Sequence, residues 1–143
     1  MTDTGPLGDG AAAAGRPAAG EFRIERLHHV QLAIPPGGED VARRFYADLL
    51  GLAELPKPAE LAARGGCWFG GGAVEIHLGV EPGFRPANKA HPGIVVANLD
   101  VLAGRLAAAG ADVLWDDGFP GHRRFYTHDW HGNRIELLEP VRG

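Results

Sequence analysis

Cysteine is nearly missing from this 143-residue chain, in which Cys67 stands alone. A lone thiol excludes an intrachain disulfide and any zinc site built on several thiolates. A metal centre here would have to be made from histidine and carboxylate. Long apolar runs are missing too: none approaches the roughly 20 residues that span a bilayer. The N-terminus also lacks the basic, apolar, small-residue order of a signal peptide. The expectation is a cytoplasmic protein with no membrane partner. Nor is there an excess of basic charge, with 14 Lys and Arg against 18 Asp and Glu, a net charge of -4, and no basic stripe. That excludes the usual electrostatic footprint of a nucleic-acid binder and leaves small molecules as the expected partners.

Glycine is abundant, at 22 residues, and much of it punctuates. Residues 1–21, "MTDTGPLGDGAAAAGRPAAGE", hold almost nothing to bury and read as a disordered tail. A single domain is expected over 22–143, in two modules at about 24–82 and about 88–140. In the first, a strand centred on His29 to Ile34 ends at Pro35-Pro36-Gly37-Gly38. "GEDVARRFYADLLGL" then spaces Val41, Phe45, Leu49 and Leu50 as a helix with Gly51 at its end. "LAELPKP" reads as a short strand, and "CWFGGGAVEIHLGV" as two strands joined by glycines. The second module repeats the order: strand "HPGIVVANL", a helix from Leu99 to Ala109, short strand "ADVLW", and a terminal pair turning at Asp129 to Asn133. The fold class is therefore α+β, two βαβββ modules.

Strand alternation sorts the side chains. In "LHHVQLAI" the apolar row Val30, Leu32 and Ile34 should pack on the helix. His28 falls with that row, and His29, Gln31 and Ala33 face the other way. Of the two adjacent histidines, only His29 then faces the pocket. The same sorting turns Glu75 and His77, His91 and Gly93, and Arg134, Glu136 and Leu138 inward. Four possible metal ligands thus fall on inward faces at matching positions of four strands. One of Trp68 and Phe69 must also face inward, with Trp68 taken as a pocket residue beside Gln31. Arg123 and Arg124, or Arg85 and Lys89 just before His91, could clamp an anionic substrate. His122, His128 and His131 sit in or beside turns, without partner spacing.

At these residues the sequence resembles the vicinal oxygen chelate superfamily, which includes glyoxalases, extradiol dioxygenases, fosfomycin-resistance enzymes and bleomycin-resistance proteins. The resemblance runs from Arg26 to Pro140 through "LHHVQLAI", "ARRFYADLLGL", "VEIHL", "HPGIVV" and "HGNRIELLEP". It implies a cup-shaped mixed sheet holding a divalent metal where inward residues of first and last strands meet. His29, His91 and Glu136 match its two-histidine, one-carboxylate set. His77 stands where glyoxalases carry a Glu, a departure that leaves Glu136 the only carboxylate among the four.

The expected activity is metal-dependent chemistry on a small, oxygen-chelating substrate: lyase, isomerase or dioxygenase. The metal would be held by His29, His77, His91 and Glu136, and Glu136 would also be the catalytic carboxylate. Nitrogen and oxygen donors suit zinc, nickel, cobalt, manganese or ferrous iron. The alternative is a metal-free protein that sequesters a small molecule, as bleomycin-resistance proteins do. Each module presents half of the ligand set, so a homodimer is expected, with the cup built within one chain or by exchange between two.

Overall fold

The structure, a computed structural model, describes residues 15–142. The expected tail lies outside the described residues up to position 14, and 15–29 carry neither helix nor strand. Strand β1 is Val30–Ile34 and helix α1 Glu39–Arg43, which continues as a π-helical segment over Arg44–Leu49. Then follow β2 (Ala53–Leu55), α2 (Ala59–Ala62), β3 (Cys67–Gly71) and β4 (Val74–Val80). The second module is β5 (Gly93–Val95), α3 (Leu99–Ala108), β6 (Leu114–Asp116), β7 (His122–His128) and β8 (Arg134–Pro140). Helix α2 has no counterpart in the sequence reading. At four residues behind Pro58 it is too short to show a helical period.

Within the chain these strands form two four-stranded mixed sheets, ordered β1-β4-β3-β2 and β5-β8-β7-β6. In each the first strand runs parallel to the last and the other pairs are antiparallel. The registers repeat. Gln31 lies opposite His77 and Trp68 opposite His77 in the first sheet, as Gly93 lies opposite Glu136 and Tyr126 opposite Glu136 in the second. His29 and His91 each stand two residues before the first member of these pairs.

The apolar rows enter one core. Ile34, Ile76, Leu78, Phe125, Ile135 and Leu137 from the sheets meet Phe45 and Tyr46 of the first helix and Leu99 and Leu106 of α3. α3 begins under a borrowed cap, because the Glu139 carboxylate of β8 accepts the backbone N–H groups of Asn98 (3.2 Å) and Leu99 (3.1 Å). The modules are joined by polar contacts as well. Buried Tyr46 donates its hydroxyl to Asp129 (2.6 Å), and the Asn133 amide donates to the Ala33 carbonyl (2.8 Å). No helix among the described residues is long and apolar enough to cross a membrane.

Candidate functional site

β4 places His77 toward the face opposite the helices, where it is 5% exposed. Its ring is sandwiched. Trp68, its cross-strand neighbour, stacks on one side with centroids 3.9 Å apart and planes 5° apart, and His29 stacks at 3.9 Å and 14°. The His77 Nε2 lies 3.1 Å from Glu75 Oε2. Burial holds His77 below the usual histidine range, against the opposing pull of Glu75. A cavity of about 450 Å³ opens onto His29, Gln31, Trp68 and His77.

His28 does not behave as the alternation argument required. β1 begins only at Val30, so His28 and His29 lie in the extended segment before the strand, where strict alternation does not apply. Their Nδ1 atoms are 2.9 Å apart, and His28 Nδ1 is 3.4 Å from Glu75 Oε2. His28 is therefore no member of the apolar row: its Nδ1 lies between His29 and the Glu75 carboxylate.

The second module offers a different pair. His91 Nδ1 lies 2.7 Å from the carbonyl of Lys89, an acceptor only, so this nitrogen carries the proton and donates. His91 Nε2 then faces Glu136 Oε2 at 3.3 Å. The other oxygen of Glu136 accepts from Arg124 Nη1 at 2.7 Å, and Arg124 also grips Asp116 through Nη2 at 3.0 Å. This hydrogen bond to Glu136 is the main reason the Arg124 guanidinium is held above its ordinary range. Tyr126 meets the His91 ring edge-on at 5.2 Å, with the Arg134 guanidinium 4.1 Å over its own ring. Gly93 leaves space here, since a Cβ on it would stand 3.3 Å from Glu136 Oε2. A cavity of about 620 Å³ is bounded by Gln31, Arg85, His91 and Arg134, so Gln31 borders both cavities.

The four expected ligands thus stand as two pairs in one chain, His29 with His77 and His91 with Glu136. Among the described residues the one group of three ligating side chains with all donor atoms within 4.8 Å of one another is His28, His29 and Glu75. The remaining histidines have structural partners: His122 the Pro120 carbonyl, His128 Asp112, and His131 the Gly38 carbonyl. Sequence reasoning placed Glu75 and Arg134 inward without giving either a role, and it gave the Lys89 carbonyl none. The inward positions of Glu75 and Arg134 were the available signal; nothing local marked the carbonyl.

No protein-family model and no curated protein matches the chain. Solved structures do. A glyoxalase family protein from Bacillus anthracis is 45% identical, with a TM-score of 0.81 over 85% of this chain and 99% of that one. A variant of the fosfomycin resistance protein FosX from Listeria monocytogenes, solved with Mn(II) and 1S,2S-dihydroxypropylphosphonic acid, is 15% identical, with a TM-score of 0.69 over 83% and 95%. The antibiotic-binding protein TnmS3 from Streptomyces sp. CB03234 is 20% identical, with a TM-score of 0.64 over 85% and 100%.

Proposed function

The chain belongs to the glyoxalase family, within the vicinal oxygen chelate superfamily, and on that premise we propose that it is a divalent-metal-dependent enzyme acting on a small substrate with adjacent oxygens. The observation that carries this is the His91–Glu136 pair. With Nδ1–H committed to Lys89, the remaining ring nitrogen of His91 faces a carboxylate oxygen at 3.3 Å. A cation between them would be coordinated by both. A histidine that donates its other N–H to a backbone carbonyl is the usual outer support of a metal ligand. The donor set fits a borderline divalent ion, and the FosX neighbour was solved with Mn(II).

His91 and Glu136 are two ligands of a set that needs more. His29 and His77 occupy the matching positions of the other module, and in one chain they do not join that pair within 4.8 Å. The reading is therefore a homodimer in which His29, with His77 beside it, meets His91 and Glu136 of a second copy. Module-two residues that would line such a cup are bare in one chain, with Val95 64% and Leu114 53% exposed.

A bound ion would supply Lewis acidity to an enolate or alkoxide on the substrate. The chain's own residues divide the remaining work. Arg124 pins Glu136 Oε1, leaving Oε2 to ligate or to accept a substrate proton. Arg134 and Arg85 border the 620 Å³ cavity, where they can hold an anionic group, and Gln31 can orient a polar one. Trp68 supplies a flat wall.

That same wall favours a second reading, a metal-free binder of a planar small molecule in the 450 Å³ cavity. Elemental analysis separates the two. After chelation and reconstitution with zinc, nickel, cobalt, manganese or ferrous iron, one of these should bind stoichiometrically. His91→Ala should weaken the binding of one equivalent per chain at least tenfold while the fold persists. Wild-type protein that takes up none of the five ions would leave the binder as the reading.

A further inference from the structure

We infer that His28, His29 and Glu75 form a second divalent-cation site, contained within a single chain and distinct from the His91–Glu136 centre. His28, His29 and Glu75 each bring one donor atom to the entrance to β1, all within 4.8 Å of one another. The Nδ1 atoms are 2.9 Å apart, and His28 Nδ1 is 3.4 Å from the carboxylate oxygen. Bonds of about 2.0 to 2.1 Å to a common ion would separate neighbouring donors by about 2.9 Å at right angles and about 3.4 Å at tetrahedral angles. Both observed separations, which are also those of a hydrogen bond and an ion pair, fit co-ligands without rearrangement.

A proton on His28 Nδ1 can serve His29 or Glu75 but not both, whereas a cation serves all three donors at once, while His77 Nε2 keeps its own contact with Glu75 Oε2 at 3.1 Å. Two neutral imidazoles and one carboxylate give a divalent ion a net charge of +1, and the nitrogen-rich set selects zinc, cobalt, nickel or copper over magnesium or calcium.

Two of the three ligands are braced from outside the set. His77, enclosed between Trp68 and His29, has its Nε2 on Glu75 Oε2 at 3.1 Å, and its ring carries His29 at 3.9 Å. That is the outer-shell support that orients ligating side chains. The site faces a cleft of about 520 Å³ between the start of β1 and β5, with room for water to complete the coordination. A neutral imidazole has one ring lone pair, so while His29 Nδ1 holds this ion its Nε2 carries the proton, and the cup is completed by His77, His91 and Glu136. The inference does not rest on the proposed enzyme centre, because no residue of the second module takes part.

The probe is Co(II) alone, titrated into the chelator-treated full chain and into two double variants. Wild type should bind two equivalents per chain, His91→Ala/Glu136→Gln one, and His28→Ala/Glu75→Gln one. Circular dichroism melts establish that each variant is folded. With Cu(II) in the His91→Ala/Glu136→Gln protein, electron paramagnetic resonance should show two nitrogen couplings, falling to one on adding His28→Ala. A His28→Ala/Glu75→Gln protein with wild-type stoichiometry and affinity would overturn the inference, as would loss of all binding in His91→Ala/Glu136→Gln. If His91→Ala/Glu136→Gln instead binds as wild type does, the enzyme centre fails and the module-one site stands.

Discussion

Thr127 sits fully buried on β7 between the core residue Phe125 and the turn, and its hydroxyl has no hydrogen-bond partner among the described residues. A buried hydroxyl without a partner carries a desolvation penalty of about 1 to 3 kcal/mol. Thr127→Val keeps the shape and removes that penalty, so it should raise stability by about 1 kcal/mol in denaturant unfolding; a loss of stability would mean that the hydroxyl is satisfied in solution. Its direction toward the helix-packed core follows from alternation, as do those of Ile76, Leu78, Ile135 and Leu137, all buried as the pattern requires. Alternation is reliable at these positions because each lies inside a paired strand. It fails at His28, one residue before His29 and outside β1, because no ladder fixes the backbone there. The side chain that the period sent to the core is instead exposed and turned toward Glu75.

At the scale of elements, the helical spacing of Val41, Phe45, Leu49 and Leu50 locates the first helix, yet nothing in it indicates the π-helical segment. The wider turn brings consecutive Phe45 and Tyr46 both to complete burial, which lets Tyr46 reach Asp129 across the modules. Such a segment depends on tertiary contacts, which a local pattern does not contain. Strand ends are shifted for a similar reason: β5 is three residues long where the apolar run suggested more, because the ladder with β8 spans Gly93–Val95 and is flanked only by single hydrogen bonds, from Glu136 N–H to the Pro92 carbonyl and from Val96 N–H to the Leu138 carbonyl. The link into β3 has a sharper requirement. Gly66 has φ +84°, and a Cβ there would lie 2.2 Å from the Leu78 carbonyl oxygen, whereas Gly51, at φ +75°, has no atom within 4 Å of such a Cβ. Gly51→Ala should therefore lose about 1 kcal/mol from backbone strain alone, and Gly66→Ala at least about 3 kcal/mol from strain plus displacement of β3 from β4. Equal losses in thermal unfolding would mean that the backbones separate without cost.

For the whole molecule, the internal repeat is the most legible feature, and the structure mirrors it in the paired registers of His77 and Glu136. The sequence pattern left open whether one chain closes its own cup, since alternation assigns residues to faces without saying which faces meet. The contacts that set this lie far apart in sequence, as Tyr46 with Asp129 and Ala33 with Asn133 do. They pack the modules without uniting His29 and His77 with His91 and Glu136. An exchanged dimer makes a prediction that a self-contained cup does not. Let one chain carry His29→Ala and another His91→Ala/Glu136→Gln, both with Glu75→Gln so that the module-one cluster is silent. Each homodimer then lacks part of every shared centre. A mixed dimer joins the intact His29 of the second chain to the intact His91 and Glu136 of the first and completes one centre of two. After unfolding and random reassortment about half of the dimers are mixed, so the mixture should regain about a quarter of the metal held by the Glu75→Gln protein. Chains that each build their own centre would regain none on mixing, and light scattering on the same samples would report whether dimers had formed.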